Sequence, residues 1–159
     1  MWTRPKLLSR GWELRAGDEV VATLESRSWL GVRMTGETAA GRWDLRHEGL
    51  LRGRAVMRRE GAEAGHLVFR PGWFGAGEIR CEDGEPLSWK RGDVWGRRWR
   101  MLDGDGHVQL EFTRRPAFLK SSVAVEASDA GRKRADLPEL VLLGFYLLRL
   151  LERQAHTGY

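Results

Sequence analysis

The run Leu140-Val141-Leu142-Leu143-Gly144-Phe145-Tyr146-Leu147-Leu148-Arg149-Leu150-Leu151 does most to restrict what this chain can fold into. It has no polar face, and a helix that is apolar all round has to be buried on all sides. It is also short of the ~20 residues needed to span a bilayer. Asp136-Leu137-Pro138-Glu139 reads as its start. Asp136 can serve as N-cap, Pro138 lies in the first turn, and Glu139 completes a capping-box arrangement. The pattern predicts a core helix over about 137–154, preceded by a polar connector at 128–135. In a single domain of 159 residues, one arrangement covers such a helix on every side: it runs through the middle of a β barrel. A helix with its side chains is ~10–12 Å across. Eight strands make a barrel filled by its own side chains, so a wider one is required.

The rest of the chain supplies the strands. Over about 10–127, short apolar runs alternate with turn residues. Val20 to Leu24 follows Ala16-Gly17-Asp18, and Val56-Met57 and Leu67 to Phe69 flank Glu60-Gly61-Ala62. Ile79-Arg80-Cys81 leads into Asp83-Gly84, and Val123-Ala124-Val125 is the last strand. Trp95, Arg97, Trp99 and Met101 read as one face of a strand, with Arg98 and Arg100 on the other. Asp103-Gly104-Asp105-Gly106 then turns the chain into Val108 to Phe112. Eleven or twelve strands fit before residue 128.

The strands also repeat. Trp29-Leu30-Gly31 recurs as Trp73-Phe74-Gly75 and Arg54-x-x-Met57 as Arg98-x-x-Met101, each 44 positions on; Trp43 finds Trp89 after 46. Gly65-His66 recurs as Gly106-His107, and Pro116 to Leu119 begins a partial third copy. Each copy reads as four strands. The expected fold is therefore mainly β with one C-terminal helix, a ~12-stranded antiparallel barrel around a central hydrophobic helix. The competing arrangement is a sandwich or calyx with the helix packed outside. The tryptophans at repeat-equivalent positions, Trp29, Trp43, Trp73 and Trp89, are expected to pack in the core.

Repeated strands punctuated by Trp and Gly and closed by an all-apolar helix resemble the tubby C-terminal-like superfamily, which includes tubby-like proteins, phospholipid scramblases and LURF-one-related proteins. The resemblance covers about Trp12 to Arg153, and Leu137 to Tyr146 looks most like the core helix of that group. It implies a twelve-stranded barrel around a central helix. It also implies a role at membranes: tubby-like proteins bind phosphoinositides and scramblases move lipid. The cysteine-rich segment of the scramblases has no counterpart, since Cys81 is the sole cysteine.

Charge bears on the partner. Lys+Arg number 27 against 22 acids, a net charge of +5, and only four of the basic residues are lysines. Arginine forks suit phosphate oxygens, although the same charge also serves solubility. The densest basic-aromatic stretch is Trp89 to Arg100, and its repeat counterpart is Arg52 to Arg59. If the two are neighbours in space, Arg54, Arg58, Arg91, Arg98 and Arg100 form one cationic patch. Nucleic acid is disfavoured, because core tryptophans cannot stack on bases.

Catalytic signatures are missing. No nucleophile elbow, phosphate-cradling loop or dinucleotide fingerprint occurs. His47, His66, His107 and His156 have no partners at metal-ligand spacing, and Asp103 to Gly106 fits a hairpin turn better than a calcium loop. No enzyme activity, cofactor or metal is expected. The N-terminal residues lack a continuous apolar signal segment, which makes the cytoplasm the expected location. The expected role is a non-enzymatic interaction or scaffold domain with a protein partner. The alternative is a peripheral module binding anionic phospholipid headgroups through the arginines.

Overall fold

Alternating burial along each strand and unbroken burial along the last helix organise the computed structural model, which describes residues 2–3, 11–27, 33–49, 53–63, 65–82, 84–115 and 122–157. After the two-residue β1 (Trp2–Thr3) come β2 (Gly11–Ala16), β3 (Glu19–Ser26), β4 (Met34–Thr38), β5 (Gly41–Glu48) and β6 (Arg54–Arg59). They are followed by β7 (Leu67–Pro71), β8 (Gly77–Cys81), β9 (Leu87–Arg91), β10 (Arg98–Leu102), β11 (Val108–Arg115) and β12 (Ser122–Ala127). The chain closes with a one-turn helix α1 (Asp129–Arg132) and the long α2 (Leu137–Thr157).

The protein is mainly β, a single antiparallel sheet with one long C-terminal helix. From β2 to β12 each strand pairs with the next. Among the described residues, contact between the two ends of that sheet rests on β1, through Trp2↔Val123, Trp2↔Leu14 and Thr3↔Glu13.

The repeat is a four-strand unit. Trp43 and Trp89 hold the third position of β5 and β9. Arg54 and Arg98 are the exposed first residues of β6 and β10, and Met57 and Met101 sit buried three residues on. The Gly-His steps directly precede β7 and β11. Trp29 to Gly31 and Pro116 to Leu119 lie outside the described residues.

Every residue from Glu139 to Leu148 is buried. The sheet meets α2 from several sides: the Trp12 ring of β2 lies tilted against Phe145 at 5.8 Å, Leu142 lies under Gly36 of β4, and Gly144 faces the Phe112 ring of β11. A methyl group at Gly144 would stand 2.1 Å from that ring, so only glycine lets helix and sheet approach this closely. The amphipathic Arg114 of β11 donates to the Leu148 carbonyl at 2.9 Å. An all-apolar helix is thus explained by its surroundings, as its sequence requires.

Within the polar connector Ser128 caps α1, its hydroxyl accepting the Gly131 N–H at 3.0 Å. Three local expectations need correction. The Asp136 side chain is taken by Arg134, which donates to both carboxylate oxygens at 2.8 and 3.1 Å. The charge-assisted fork is the stronger partner. Trp95 does not share a strand face with Trp99, because β10 begins only at Arg98. Trp73 is not a core residue either, as the end of the sheet makes clear.

Candidate functional site

Antiparallel alternation places the β7–β8 and β9–β10 turns at the same end of the sheet, on neighbouring hairpins. Both carry large apolar side chains outward. Trp73 and Phe74 are 78% and 84% exposed, and Val94 and Trp95 are 87% and 85% exposed. A scattered exposed leucine means little, but paired exposed apolar residues on two neighbouring turns at one end of a sheet mark a contact surface.

Both turns are built to hold these residues out. In the first, the Ala76 N–H donates to the Trp73 carbonyl at 3.1 Å, with positive φ at Phe74 (55°) and Gly75 (81°). That is the mirror-image turn that suits a twisted hairpin, and it normally selects Asn or Gly first. Phe74 in that position is strained, by about 1–3 kcal/mol. In the second turn the Asp93 carboxylate accepts the N–H groups of Arg97 and Arg98 at 2.9 and 3.2 Å. The two turns meet through Trp99: its indole donates to the Gly96 carbonyl at 3.2 Å, and a side chain at Gly75 would touch its ring. Arg70, Arg91, Arg97, Arg98 and Arg115 stand exposed around this end.

The five arginines singled out in the sequence do not converge. Strands β6 and β10 are four places apart, about 19 Å across the sheet at ~4.8 Å per strand. On β6, Arg54 and Arg58 share Glu48, at 3.2 and 2.9 Å. On the other side, Arg100 is held by Glu111 at 2.6 Å. Arg91 lies over the Trp99 ring at 5.7 Å, and Arg98 is exposed at the base of its turn. Only Arg91 and Arg98 therefore belong to the apolar tips.

A second cationic site went unseen in the sequence. A cleft of about 580 Å3 on the outer face of β4–β6 is lined by Arg27, Arg33, Arg46, Arg58 and Arg59, with Asp44 and Glu60 as its acids. Asp44 receives Arg33 at 3.1 Å and also Arg46. Arg27 donates to Thr35 Oγ1 at 2.7 Å, and Arg59 lies 5.1 Å over the Trp43 ring. Burial pushes the Asp44 carboxyl up, but hydrogen bonds from Arg46 and Arg33 outweigh it and hold the group below its ordinary value. The signal available in the sequence was alternation: Asp44, Arg46 and Arg58 all fall on the outward parity of their strands.

One consequence is a pH dependence. In the folded protein Asp44 binds a proton less readily than in the unfolded chain. Its contribution is full above the ordinary value of 3.8 and disappears as pH falls through the lower folded value. Asp44→Asn is expected to lower the thermal midpoint at neutral pH and to reduce its fall toward strong acid. A variant whose midpoint falls as steeply with acid as that of the native protein would refute this.

At the opposite end of the sheet, Asp103, Asp105 and His107 offer ligand atoms within 4.8 Å of one another. The Asp103 carboxylate is already engaged, accepting the N–H groups of Asp105 and His107 at 3.0 and 2.8 Å and the Gln109 amide at 3.2 Å. It knits the β10–β11 hairpin turn. Among the described residues, no helix is long and apolar enough to cross a membrane. Comparison with family models, curated proteins and solved structures gives no match.

Proposed function

We propose that this chain is a non-enzymatic peripheral module that docks on anionic phospholipid surfaces, the end bearing the β7–β8 and β9–β10 turns facing the lipid. The observation that carries the reading is the apolar tip cluster, Trp73, Phe74, Val94 and Trp95, set among exposed arginines. Tryptophan favours the headgroup level of a bilayer, and each arginine near an anionic surface contributes about 1 kcal/mol. Stable anchoring takes two signals, an apolar insertion and a basic patch, and this end has both. The same reading includes closure of the sheet into a barrel through β1, membership of the tubby C-terminal-like superfamily, and a cytoplasmic location.

The test is co-sedimentation with neutral and anionic vesicles over a salt series, with single-stranded DNA as competitor. Binding to anionic vesicles alone, weakened at least about tenfold by Arg97→Glu with Arg98→Glu, is the expected result. Displacement by DNA would replace the reading with nucleic-acid binding. Failure to sediment with any vesicle would leave a protein-interaction module.

A further inference from the structure

Arg114 and Arg149 break the apolar pattern of their elements at one place. On β11, Arg114 shares the inward parity of Leu110 and Phe112, both fully buried. On α2, Arg149 is the only charged residue between Leu140 and Leu151. Both turn to the carboxylate of Glu152, Arg149 in a close ion pair and Arg114 with its Nε at 3.9 Å. Two half-buried guanidinium charges thus share one acid, although charge withdrawn from water calls for full pairing. They line a cavity of about 230 Å3 at the end of the sheet that carries the apolar tips. Arg97, in the β9–β10 turn, and Arg115, the last residue of β11, add two exposed arginines to the lining. The Arg114 N–H donates to the Arg97 carbonyl at 2.8 Å, and Arg115 pairs with Ser122 of β12, which fixes these strand ends side by side. Among the described residues, neither Arg97 nor Arg115 has a carboxylate partner for its side chain. The buried Trp12, Val123 and Phe145 supply the apolar part of the lining.

We infer that this cavity binds a phosphomonoester, its terminal phosphate set among the arginines. Four arginines face one glutamate here, so an anion of more than one charge balances the site best. A phosphomonoester carries about −1.5 to −2 charge at pH 7 and three terminal acceptor oxygens. A carboxylate or a phosphodiester has one charge and two such oxygens, and leaves guanidinium forks without an acceptor. Arginine rather than lysine is the side chain that matches phosphate oxygens in pairs. The apolar lining receives the carbon side of the ester, which inorganic phosphate lacks. The volume lies below the roughly 300–1,000 Å3 of ordinary small-molecule sites, which suits a headgroup and not a bulky ligand. The ester is either the headgroup of a bilayer lipid or a free phosphomonoester. The lipid source rests on the docking reading, because the cavity lies at the lipid-facing end.

Two vesicle types of equal surface charge separate this site from general attraction. One holds phosphatidic acid, a monoester, in phosphatidylcholine; the other holds phosphatidylglycerol, a diester. The full chain is expected to sediment with the phosphatidic acid vesicles at least about tenfold more tightly. Arg115→Gln removes one fork at an exposed position, where substitution leaves folding intact. It is expected to cut that preference at least about fivefold, while the loss of general attraction is shared by both vesicles and cancels in the ratio. Arg115→Lys keeps the charge and drops the fork. It should hold phosphatidylglycerol affinity within about twofold and still lower the preference. Calorimetric titration with glycerol 3-phosphate tests the free source, with saturable 1:1 binding expected and weakened at least about fivefold by Arg115→Gln. Preference for phosphatidic acid without binding of glycerol 3-phosphate assigns the site to a lipid, and the converse assigns it to a free ester. A preference or a titration that Arg115→Gln leaves unchanged would overturn the site. Docking is scored separately. Protein that sediments equally with both vesicles and gives no heat with glycerol 3-phosphate refutes the cavity alone. Binding of glycerol 3-phosphate by a chain that sediments with no vesicle refutes the docking alone.

Discussion

Replacing Trp73 and Trp95 together by serine is expected to weaken sedimentation with anionic vesicles at least about a hundredfold. Burying one large apolar side chain is worth ~1.5–3 kcal/mol. Two of them therefore account for two decades or more of affinity at 1.4 kcal/mol per decade. Both side chains are more than three-quarters exposed, so the same substitutions should leave thermal stability nearly unchanged, within about 0.5 kcal/mol. Phe74 provides the complementary variant. Its backbone has a φ of 55°, which glycine adopts without strain. Phe74→Gly is expected to raise the unfolding temperature while weakening docking. A site that holds an apolar ring outward at a conformational cost has this signature. Retained vesicle affinity in the serine double variant would sink the tip mechanism and leave only the arginines as a contact surface.

The residues that decide this were only half legible in the sequence. Repeat equivalence places Trp43 and Trp89 in the core, where they are, and the side-chain period of two puts Arg98 and Arg100 on the face of their strand opposite Trp99. The all-apolar helix announced its own burial. Repeat equivalence does not carry equivalent burial at Trp73, because Pro71-Gly72 before it and Gly75 after it mark a turn. Trp95 was assigned by extending the β10 alternation backward through Gly96, where the strand had already ended. The arginine patch failed for a topological reason: repeat-related strands lie four places apart, not side by side. Pairing with Glu48 and Glu111 likewise depends on cross-strand register, which a single sequence does not display. The apolar content of the strand connections is the signal that does mark the exposed tips. The sequence that leaves β3, β5, β7, β9 and β11 carries in turn Trp29-Leu30, Leu50-Leu51, Trp73-Phe74, Val94-Trp95 and Phe118-Leu119. Of these pairs, the two at β7–β8 and β9–β10 lie within the described residues.

Removal of residues 137–159 is expected to abolish cooperative folding, because the inward side chains of the strands share one core cluster with α2. Leu140, Val141, Leu142, Leu143, Phe145, Tyr146, Leu147 and Leu148 are all buried. At ~1.5 kcal/mol each, the low end for such side chains, their burial is worth about 12 kcal/mol. That matches the whole net stability of an ordinary domain, about 5–15 kcal/mol. A truncated chain that still melted in one sharp transition would refute the central role of the helix. A milder substitution tests the packing itself. Gly144→Ala gains about 1 kcal/mol in helix propensity, but its methyl would stand 2.1 Å from the Phe112 ring. Overpacking of that kind costs about 1–3 kcal/mol, occasionally more, and a contact this close lies at the upper end. The net expectation is a loss of about 2 kcal/mol, read from denaturant unfolding. Phe112→Leu opens the same space from the sheet side and costs stability on its own. The double variant should be more stable than the sum of the single losses predicts, by about 1 kcal/mol or more, since residues in contact do not act additively. Strict additivity would mean that Gly144 and Phe112 do not meet, and that the helix passes the sheet in another register.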